Sequence, residues 1–177
     1  MTPHPLLALL VLSAATALAA APVAANGFYL HGQVGLAEPD AAGFDDDTAV
    51  ALAAGWQFHR HFAIEAGYND FGDLVASGPV IGGPARLSAD SFQLGIAAWW
   101  PFGRSRTSGV LRAGAHRWDA DVSNPELGFD DRGTDPYLGI GIAVALTDRF
   151  ALTLSVDRYR LDDGDIDRAM AGATWRF

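Results

Sequence analysis

Large apolar side chains alternate with small or polar ones along most of the chain, and this period of two limits the possible folds more than any other feature. Between Tyr137 and Leu146, the even positions carry Leu, Ile or Val, and the odd positions after Tyr137 carry Gly or Ala. Successive side chains of a strand point to opposite faces, whereas a helix repeats about every 3.6 residues. The alternation therefore predicts an all-β protein.

Eight segments share this alternation, and most are close to the roughly 9–11 residues with which a tilted strand crosses a bilayer. The predicted strands are 28–36, 48–58, 62–72, 87–102, 109–119, 136–147, 150–161 and 166–177. Short connections alternate with the long stretches 37–47, 73–86 and 120–135, although the last connection, 162–165, is short where a long one is expected. An even number of strands joined in this way predicts an eight-stranded antiparallel up-and-down transmembrane β-barrel.

The composition of the two strand faces indicates whether such a barrel is soluble or spans a membrane. A soluble ligand-carrying barrel turns its apolar face inward. Here the residues that alternate with the large aliphatic ones are mostly Gly, Ala, Ser, Thr and Gln, which suit the narrow interior of eight strands. We therefore expect the aliphatic residues to face lipid, and the small and polar residues to fill the barrel.

The aromatic residues fall into two groups along the predicted strands. The first group lies at the strand ends beside the short connections: Phe28, Phe58, Phe62, Trp100, Phe102, Phe150, Trp175 and Phe177. The second group lies toward the opposite ends: Tyr68, Phe71, Phe92, Trp118 and Tyr159. Aromatic rings concentrate at the two membrane interfaces, so two girdles are expected, with the core of a β-sandwich as the alternative. The terminal Phe177 then faces lipid in the first girdle, together with Trp175.

The first 25 residues differ from the rest of the chain. They contain an apolar run from Leu6 to about Ala21, no acidic residue, and small residues at Val23 and Ala25, where a signal peptidase reads the chain. A membrane-anchoring helix is the alternative, because the run is almost long enough to span a bilayer. We expect residues 1–25 to be a cleavable signal peptide and residues 26–177 to form the barrel domain.

The charged residues exclude several classes of function. The net charge is −9 and no basic cluster is present, which argues against a nucleic-acid partner. The absence of cysteine excludes disulfides and cysteine-based sites. Most acidic residues lie in or near the connections on the side of the long loops, as in FDDD (44–47), FDDRGTD (129–135) and DDGDID (162–167). These acidic loops are candidates for binding an unknown extracellular ligand, or divalent cations that bridge to lipopolysaccharide phosphates.

Four charged residues fall on inward positions of the predicted strands: Glu65, Arg112, Asp157 and Arg176. An unpaired buried charge costs on the order of several kcal/mol, so each of them needs a partner inside the lumen. Glu65 and Arg112 stand at similar depth in two strands of the same direction, and we predict that they form a pair. Gln33, Gln57 and Gln93 are expected to complete this polar network of the lumen as a hydrogen-bonded plug.

Three segments resemble the OmpA-like transmembrane-domain family, the small eight-stranded outer-membrane barrels related to OmpA and OmpX. They are GWQFHRHFAIEAGYNDFGD (55–73), PYLGIGIAVALTDRFALTLSVDRYR (136–160) and the closing GATWRF (172–177). The resemblance implies a bacterial outer-membrane location, with the acidic loops outside, the short turns in the periplasm, and membrane lipid and lipopolysaccharide as partners. It also implies that the barrel-assembly machinery recognises the last strand through Phe177.

The function predicted from these features is structural and non-enzymatic, with a role in envelope integrity or surface interaction and without a cofactor. One alternative is a small channel for ions or apolar solutes, and a soluble ligand carrier is another. A third is a lipid A-modifying enzyme, as some eight-stranded outer-membrane barrels are. Its candidate nucleophiles, Ser123 and Ser155, form no recognisable motif with the inward-facing His31 or His116. A zinc site at His59 and His61 lacks a third ligand in the sequence, so no metal is expected.

Overall fold

The computed structural model describes residues 27–39, 47–75, 86–123, 129–161 and 164–177, and within them the chain forms a closed barrel. Its strands are β1 (Gly27–Pro39), β2 (Asp47–His59), β3 (Phe62–Val75), β4 (Arg86–Pro101), β5 (Thr107–Ser123), β6 (Phe129–Ala145), β7 (Phe150–Leu161) and β8 (Gly164–Arg176). Each strand pairs antiparallel with its neighbours in sequence, and β8 pairs with β1. The predicted eight-stranded up-and-down barrel is confirmed.

No helix among these residues is long and apolar enough to cross a membrane.

Neighbouring strands of the closed barrel are staggered along their length, as strands that tilt against the barrel axis must be. A row of directly paired residues that begins at Phe28 in β1 passes through one residue of each strand and returns to β1 at Glu38. The row consists of Phe28, Trp56, Ile64, Ile96, Ala113, Leu138, Arg158, Asp167 and Glu38. Because the row does not close on itself, the strands tilt against the barrel axis, as eight strands must do to enclose a lumen narrow enough for side chains to fill.

The large aliphatic residues face outward. Leu94 and Ile140 are each 62% exposed and Leu152 is 48% exposed, whereas the residues directly before and after each of them in the strand are buried or partly buried. The alternation in β7 is strict, with every second residue from Ala151 to Tyr159 buried. In water this apolar coat would be unfavourable, but in a bilayer it matches the hydrocarbon. The predicted membrane-spanning arrangement follows from these faces.

The two ends of the barrel differ in their connections. At the turn end, the short connections 60–61, 102–106 and 146–149 join the strands. At the opposite, loop end, the connections 40–46 and 76–85 are longer, the connection 124–128 is as long as 102–106, and β7 and β8 are joined by residues 162–163 alone. The segments 40–46, 76–85, 124–128 and 162–163 lie outside the described residues, as do residues 1–26. Residues 44–46 of the predicted acidic segment 44–47 therefore lie outside the described residues.

The segment 129–135, predicted as an acidic loop, is instead the first part of β6. It pairs with β5 from Phe129 to Val144, whereas the pairing of β6 with β7 begins only at Tyr137. Strand β4 is paired with β5 as far as Arg86 and Ser123, so β4, β5 and β6 together extend beyond β7 at the loop end. The prediction was wrong because hydrophobic alternation marks only the part of a strand that lies in lipid, and a strand in water does not need it.

The aromatic residues of the turn end point outward, and those of the loop end largely do not. The outward rings at the turn end are Phe28, Phe58, Phe62, Trp100, Phe102, Trp175 and Phe177, with Phe150 less exposed. Of the five rings predicted for the loop end, Tyr68 and Phe92 face outward, and their rings are 5.1 Å apart. Phe71, Trp118 and Tyr159 are buried in the lumen. The predicted second girdle was therefore wrong for these three rings, because their strand positions have inward parity.

Candidate functional site

The interior of the barrel contains two hydrogen-bonded networks, and the lower network lies nearer the turn end. It comprises Tyr29, His31, Glu65, Arg112 and Thr174. The Arg112 Nε donates to the Glu65 Oε2 at 2.9 Å, and the Tyr29 hydroxyl donates to the Glu65 Oε1 at 2.6 Å. Both carboxylate oxygens are thus bonded, which is the condition under which a buried charge is tolerated. The structure places Glu65 and Arg112 together as the sequence indicates.

A glycine makes room for the tyrosine of the lower network. Tyr29 lies across the barrel wall at Gly55, where an added Cβ would overlap the ring. Gly55 is also paired with Tyr29 in the β1–β2 ladder, and with Glu65 in the β2–β3 ladder. The missing side chain therefore lets the ring cross β2 and reach the carboxylate on the next strand. A larger residue at position 55 would push the Tyr29 hydroxyl away from Glu65.

The upper network lies nearer the loop end and is centred on Arg168. Its members are Gln33, Asn69, Ser91, Gln93, Ser155, Asp157, Tyr159 and Arg168. The Arg168 guanidinium donates to the Asn69 Oδ1 at 2.8 Å and to the Tyr159 hydroxyl at 2.7 Å, and it lies 3.4 Å from the Asp157 Oδ2. The charge of Asp157 is thus compensated by Arg168, which the sequence reasoning missed because position 168 follows an acidic, loop-like segment.

Two apolar clusters close the lumen on either side of these networks. The floor, at the turn end, consists of Tyr29, Ala63, Ala97, Trp99, Val110 and Ala143. The cap, at the loop end, contains Ala37, Ala49, Ala51, Phe71, Ala89, Trp118, Ala120, Tyr137, Tyr159, Ile166 and Met170. Every member of both clusters is at most 8% exposed. The charged groups are therefore enclosed between two layers of apolar side chains.

Two predicted members of the plug lie outside the networks. The Gln57 amide donates to the Arg60 carbonyl at 3.1 Å, because Gln57 stands two residues before the turn and cannot reach the middle of the lumen. Arg176 has no acidic partner among the described residues, and its guanidinium lies 5.0 Å from the centre of the Trp99 ring. The expectation of a partner carboxylate was wrong for Arg176. A cation over an aromatic face at the mouth of the barrel is the observed alternative.

One hydroxyl and imidazole pair has the composition of a nucleophile and a base. The His31 Nδ1 and the Thr174 Oγ1 are 2.8 Å apart, and both residues are almost completely buried. Among the described residues, the barrel wall, the floor and the lower network surround both side chains. Among the described residues, no group of three or more His, Cys, Asp or Glu side chains is placed to hold a metal ion. The pair joins β1 to β8 inside the lower network.

His116 forms a hydrogen bond from the lumen to the backbone of the barrel wall. The β6–β7 ladder ends at the pair of Tyr137 and Tyr159. Extending its register by one residue would set Pro136 against Arg160, but proline has no N–H to donate. The His116 Nε2 lies 2.8 Å from the Arg160 carbonyl oxygen and donates to it from inside the lumen. The imidazole thus satisfies a backbone carbonyl that lies just beyond the end of the ladder. His116 is 1% exposed, and its ring packs at 4.9 Å against Tyr159.

Comparison with solved structures shows the same fold in several bacterial proteins. Neisserial surface protein A is 16% identical, with a TM-score of 0.66 over 85% of this chain and 97% of that one. OprG from Pseudomonas aeruginosa is 14% identical, with a TM-score of 0.67 over 86% and 96% of the two chains. The N-terminal β-barrel domain of Pseudomonas aeruginosa OprF is 15% identical, with a TM-score of 0.63 over 86% and 99%. No curated protein matches the sequence.

The sequence itself matches a family model. The model is described as the outer membrane protein beta-barrel domain, and it matches residues 7–177. The structural neighbours are small outer-membrane barrels as well. The chain therefore belongs to the outer membrane protein β-barrel domain family and is a protein of the bacterial outer membrane.

Proposed function

We propose that this barrel is a non-conducting, non-enzymatic structural protein of the outer membrane, with a role in envelope integrity or surface interaction. The order of layers inside the lumen carries the proposal. From the turn end to the loop end, the floor, the lower network, the upper network and the cap follow one another, with Tyr29 shared by the first two and Tyr159 by the last two. An ion that entered would have to pass both apolar clusters and displace two paired arginines.

The energetics of the lumen support a plug. Glu65 and Arg112 are each at most 5% exposed, and separating them without a replacement partner would cost about 3–5 kcal/mol. An ion passing the floor would in addition lose its hydration among Trp99, Val110 and the neighbouring alanines. The members of the two networks are buried. They therefore form no water-exposed polar path that could replace the hydration of an ion.

Conductance in planar bilayers tests this function. The refolded chain is added to a bilayer in which an independent channel former has shown that single steps are resolved. We expect no stepwise current from the wild-type barrel. Resolved conductance steps that scale with the amount of barrel would contradict the plug and favour the channel. An unchanged lipid A pattern, measured on cells that express the protein, is expected as well if the barrel has no enzymatic activity.

The ends of the chain are part of the same proposal. We infer that Phe177, 72% exposed at the turn end, is the residue through which the barrel-assembly machinery recognises β8. Phe177 contributes little to the lumen, and only its N–H bonds to the wall, at 3.0 Å from the Phe28 carbonyl. Deleting Phe177 is therefore expected to lower the amount of barrel in the outer membrane without lowering the stability of the refolded protein.

Cleavage after Ala25 is a further prediction, which N-terminal sequencing of the membrane-bound protein tests.

A further inference from the structure

Near the loop end, the outward face of the barrel has an acidic sector and, next to it, a basic sector. On β3, β4 and β5 the residues Asp70, Asp90 and Asp119 stand directly opposite one another in the pairing. On β5 and β7 the outward positions at the same end carry Arg117, Arg158 and Arg160. The acidic sector and the basic sector meet on β5. In a chain with a net charge of −9, a basic sector at the boundary of the apolar coat is unexpected.

Two of these arginines have no carboxylate partner within the part of the chain that the structure describes. Arg158 donates to the Asp167 Oδ1 at 2.6 Å and lies 3.7 Å from the Asp165 Oδ2, so both acids of β8 are directed to it. Arg117 and Arg160 form no ion pair among the described residues, although Arg160 is paired with Asp165 along the ladder. Their guanidinium groups are therefore available to an external anion.

The strand register places Arg117 and Arg160 on the two sides of one narrow strip. Arg117 is paired with Thr134 of β6. Arg160 lies one residue beyond the last β6–β7 pair, Tyr137–Tyr159, so the extended register sets it beside Pro136, the next outward residue of β6. Two strand spacings, about 10 Å, separate the two backbones. Thr134 and Pro136 are short, so the two longer side chains can converge above them. The outward residues Arg117, Thr134, Pro136 and Arg160 are called the arginine clamp below.

The surface beneath the arginine clamp is apolar. Toward the middle of the barrel, β6 continues with the outward Leu138 and Ile140, which are 56% and 62% exposed. Beside them on β5 the outward residues are Ala113 and Ala115, paired with Leu138 and Pro136. These alanines leave a shallow lane next to the aliphatic ridge of β6. A ligand that occupies both the arginine clamp and this lane has an anionic head group at the clamp and a hydrocarbon chain along the lane.

We propose that the arginine clamp binds a phosphate group of a phosphorylated glycolipid in the leaflet at the loop end of the barrel. Guanidinium groups suit phosphate because several N–H donors form charge-assisted hydrogen bonds with its oxygens. The Thr134 hydroxyl adds a further donor, and the lane on β5 and β6 accepts an acyl chain. Basic residues beside a membrane surface attract anionic lipids in the same way. The inference rests on the outward face, so it does not depend on whether the lumen conducts.

Native mass spectrometry of the barrel, released from nanodiscs of phosphatidylcholine that contain lipid A, tests the proposal. The variant Arg117→Gln/Arg160→Gln removes the clamp charges. The variant Arg104→Gln/Arg149→Gln removes two exposed arginines of the turn end and serves as the control of equal charge. We expect one retained lipid A per wild-type and control barrel, and about tenfold weaker retention by the clamp variant. Both variants should show the heat-dependent gel migration of the folded wild type.

The nature of the ligand is tested with two further probes. Lipid A without its phosphate groups is expected to bind the wild type as weakly as lipid A binds the clamp variant. Inorganic phosphate is not expected to displace lipid A, because it lacks the acyl chain for the lane. Equal retention by all three proteins, equal binding of the dephosphorylated lipid, or displacement by inorganic phosphate would overturn the proposal. Both leaflets of a nanodisc carry the probe, so these outcomes do not depend on the orientation of the barrel in cells.

Discussion

Glu65 illustrates how single residues stabilise the interior. Its two carboxylate oxygens accept from groups on two different strands, Tyr29 of β1 and Arg112 of β5. The acid therefore connects parts of the wall that are not neighbours in the sheet. A hydrophobic residue of similar size could fill the space, but it could not satisfy Arg112. The interaction is expected to matter most when only one partner is removed.

The substitution Glu65→Ala is expected to lower the free energy of unfolding by about 3–5 kcal/mol, because it leaves Arg112 buried without a counter-charge. The double variant Glu65→Leu/Arg112→Met is expected to recover most of this loss. Asp167→Ala is the control, since it breaks the exposed ion pair with Arg158 and should cost less than about 1 kcal/mol. Urea unfolding in lipid vesicles measures all three variants. A loss for Glu65→Ala no larger than the loss for Asp167→Ala would contradict the role of the pair.

His116 and Pro136 are expected to be coupled, because the imidazole donates where proline cannot. His116→Phe keeps a ring in the lumen but removes the donor, and it should cost about 1–3 kcal/mol for the unsatisfied Arg160 carbonyl. In a Pro136→Ala background the backbone N–H returns, so the same change should cost distinctly less. A double-mutant cycle by urea unfolding measures the difference. If His116→Phe costs the same in both backgrounds, the imidazole does not replace the proline N–H.

At the scale of the strands, the alternation of residues predicted most of the fold. It placed all eight strands, and β7 agrees to the residue with the predicted 150–161. It failed where a strand leaves the membrane, as in the first part of β6, because water imposes no apolar face there. The pairing of Asp157 with Arg168 was missed for a related reason. The acidic residues before position 168 look like a loop, yet β8 begins at Gly164 and gives Arg168 inward parity.

The site was less predictable than the strands, because parity gives the direction of a side chain but not its depth. Gln57, Gln93 and Glu65 all have inward parity, and only the last two lie in the networks. Depth depends on the stagger between strands, which follows from pairing register rather than from composition. The same limitation explains why Arg176 was expected to find a carboxylate although it lies at the mouth of the barrel.

The depth of a residue on the outer face should determine the cost of a charge there. Leu52 and Thr48 both point outward from β2, but Leu52 lies in the middle of the apolar coat and Thr48 near its edge. Leu52→Arg is expected to lower the free energy of unfolding by about 2–4 kcal/mol, and Thr48→Arg by at most about 1 kcal/mol. Urea unfolding in vesicles compares them, with Leu52→Ile as a control for repacking. Equal costs at the two positions would contradict a bilayer around this face.

At the scale of the whole molecule, the two ends of the barrel face different environments. The turn end has a nearly continuous ring of outward aromatic residues and short connections, while the loop end carries the extensions of β4, β5 and β6 and most of the acidic residues. An up-and-down barrel with an even number of strands also keeps both ends of the chain on one side. Outer-membrane barrels place their short turns in the periplasm. This asymmetry supports an orientation with the loop end at the cell surface.

Labelling of single cysteines tests that orientation, and the chain suits the test because it contains no cysteine of its own. Asp121→Cys introduces a thiol on the exposed part of β5 at the loop end, and Arg104→Cys introduces one in a turn at the other end. A membrane-impermeant maleimide is expected to label Asp121→Cys on intact cells, and Arg104→Cys only after the outer membrane is permeabilised. Heat-dependent gel migration controls for folding. Labelling of Arg104→Cys alone on intact cells would mean that the short turns lie outside and that the arginine clamp faces the inner leaflet.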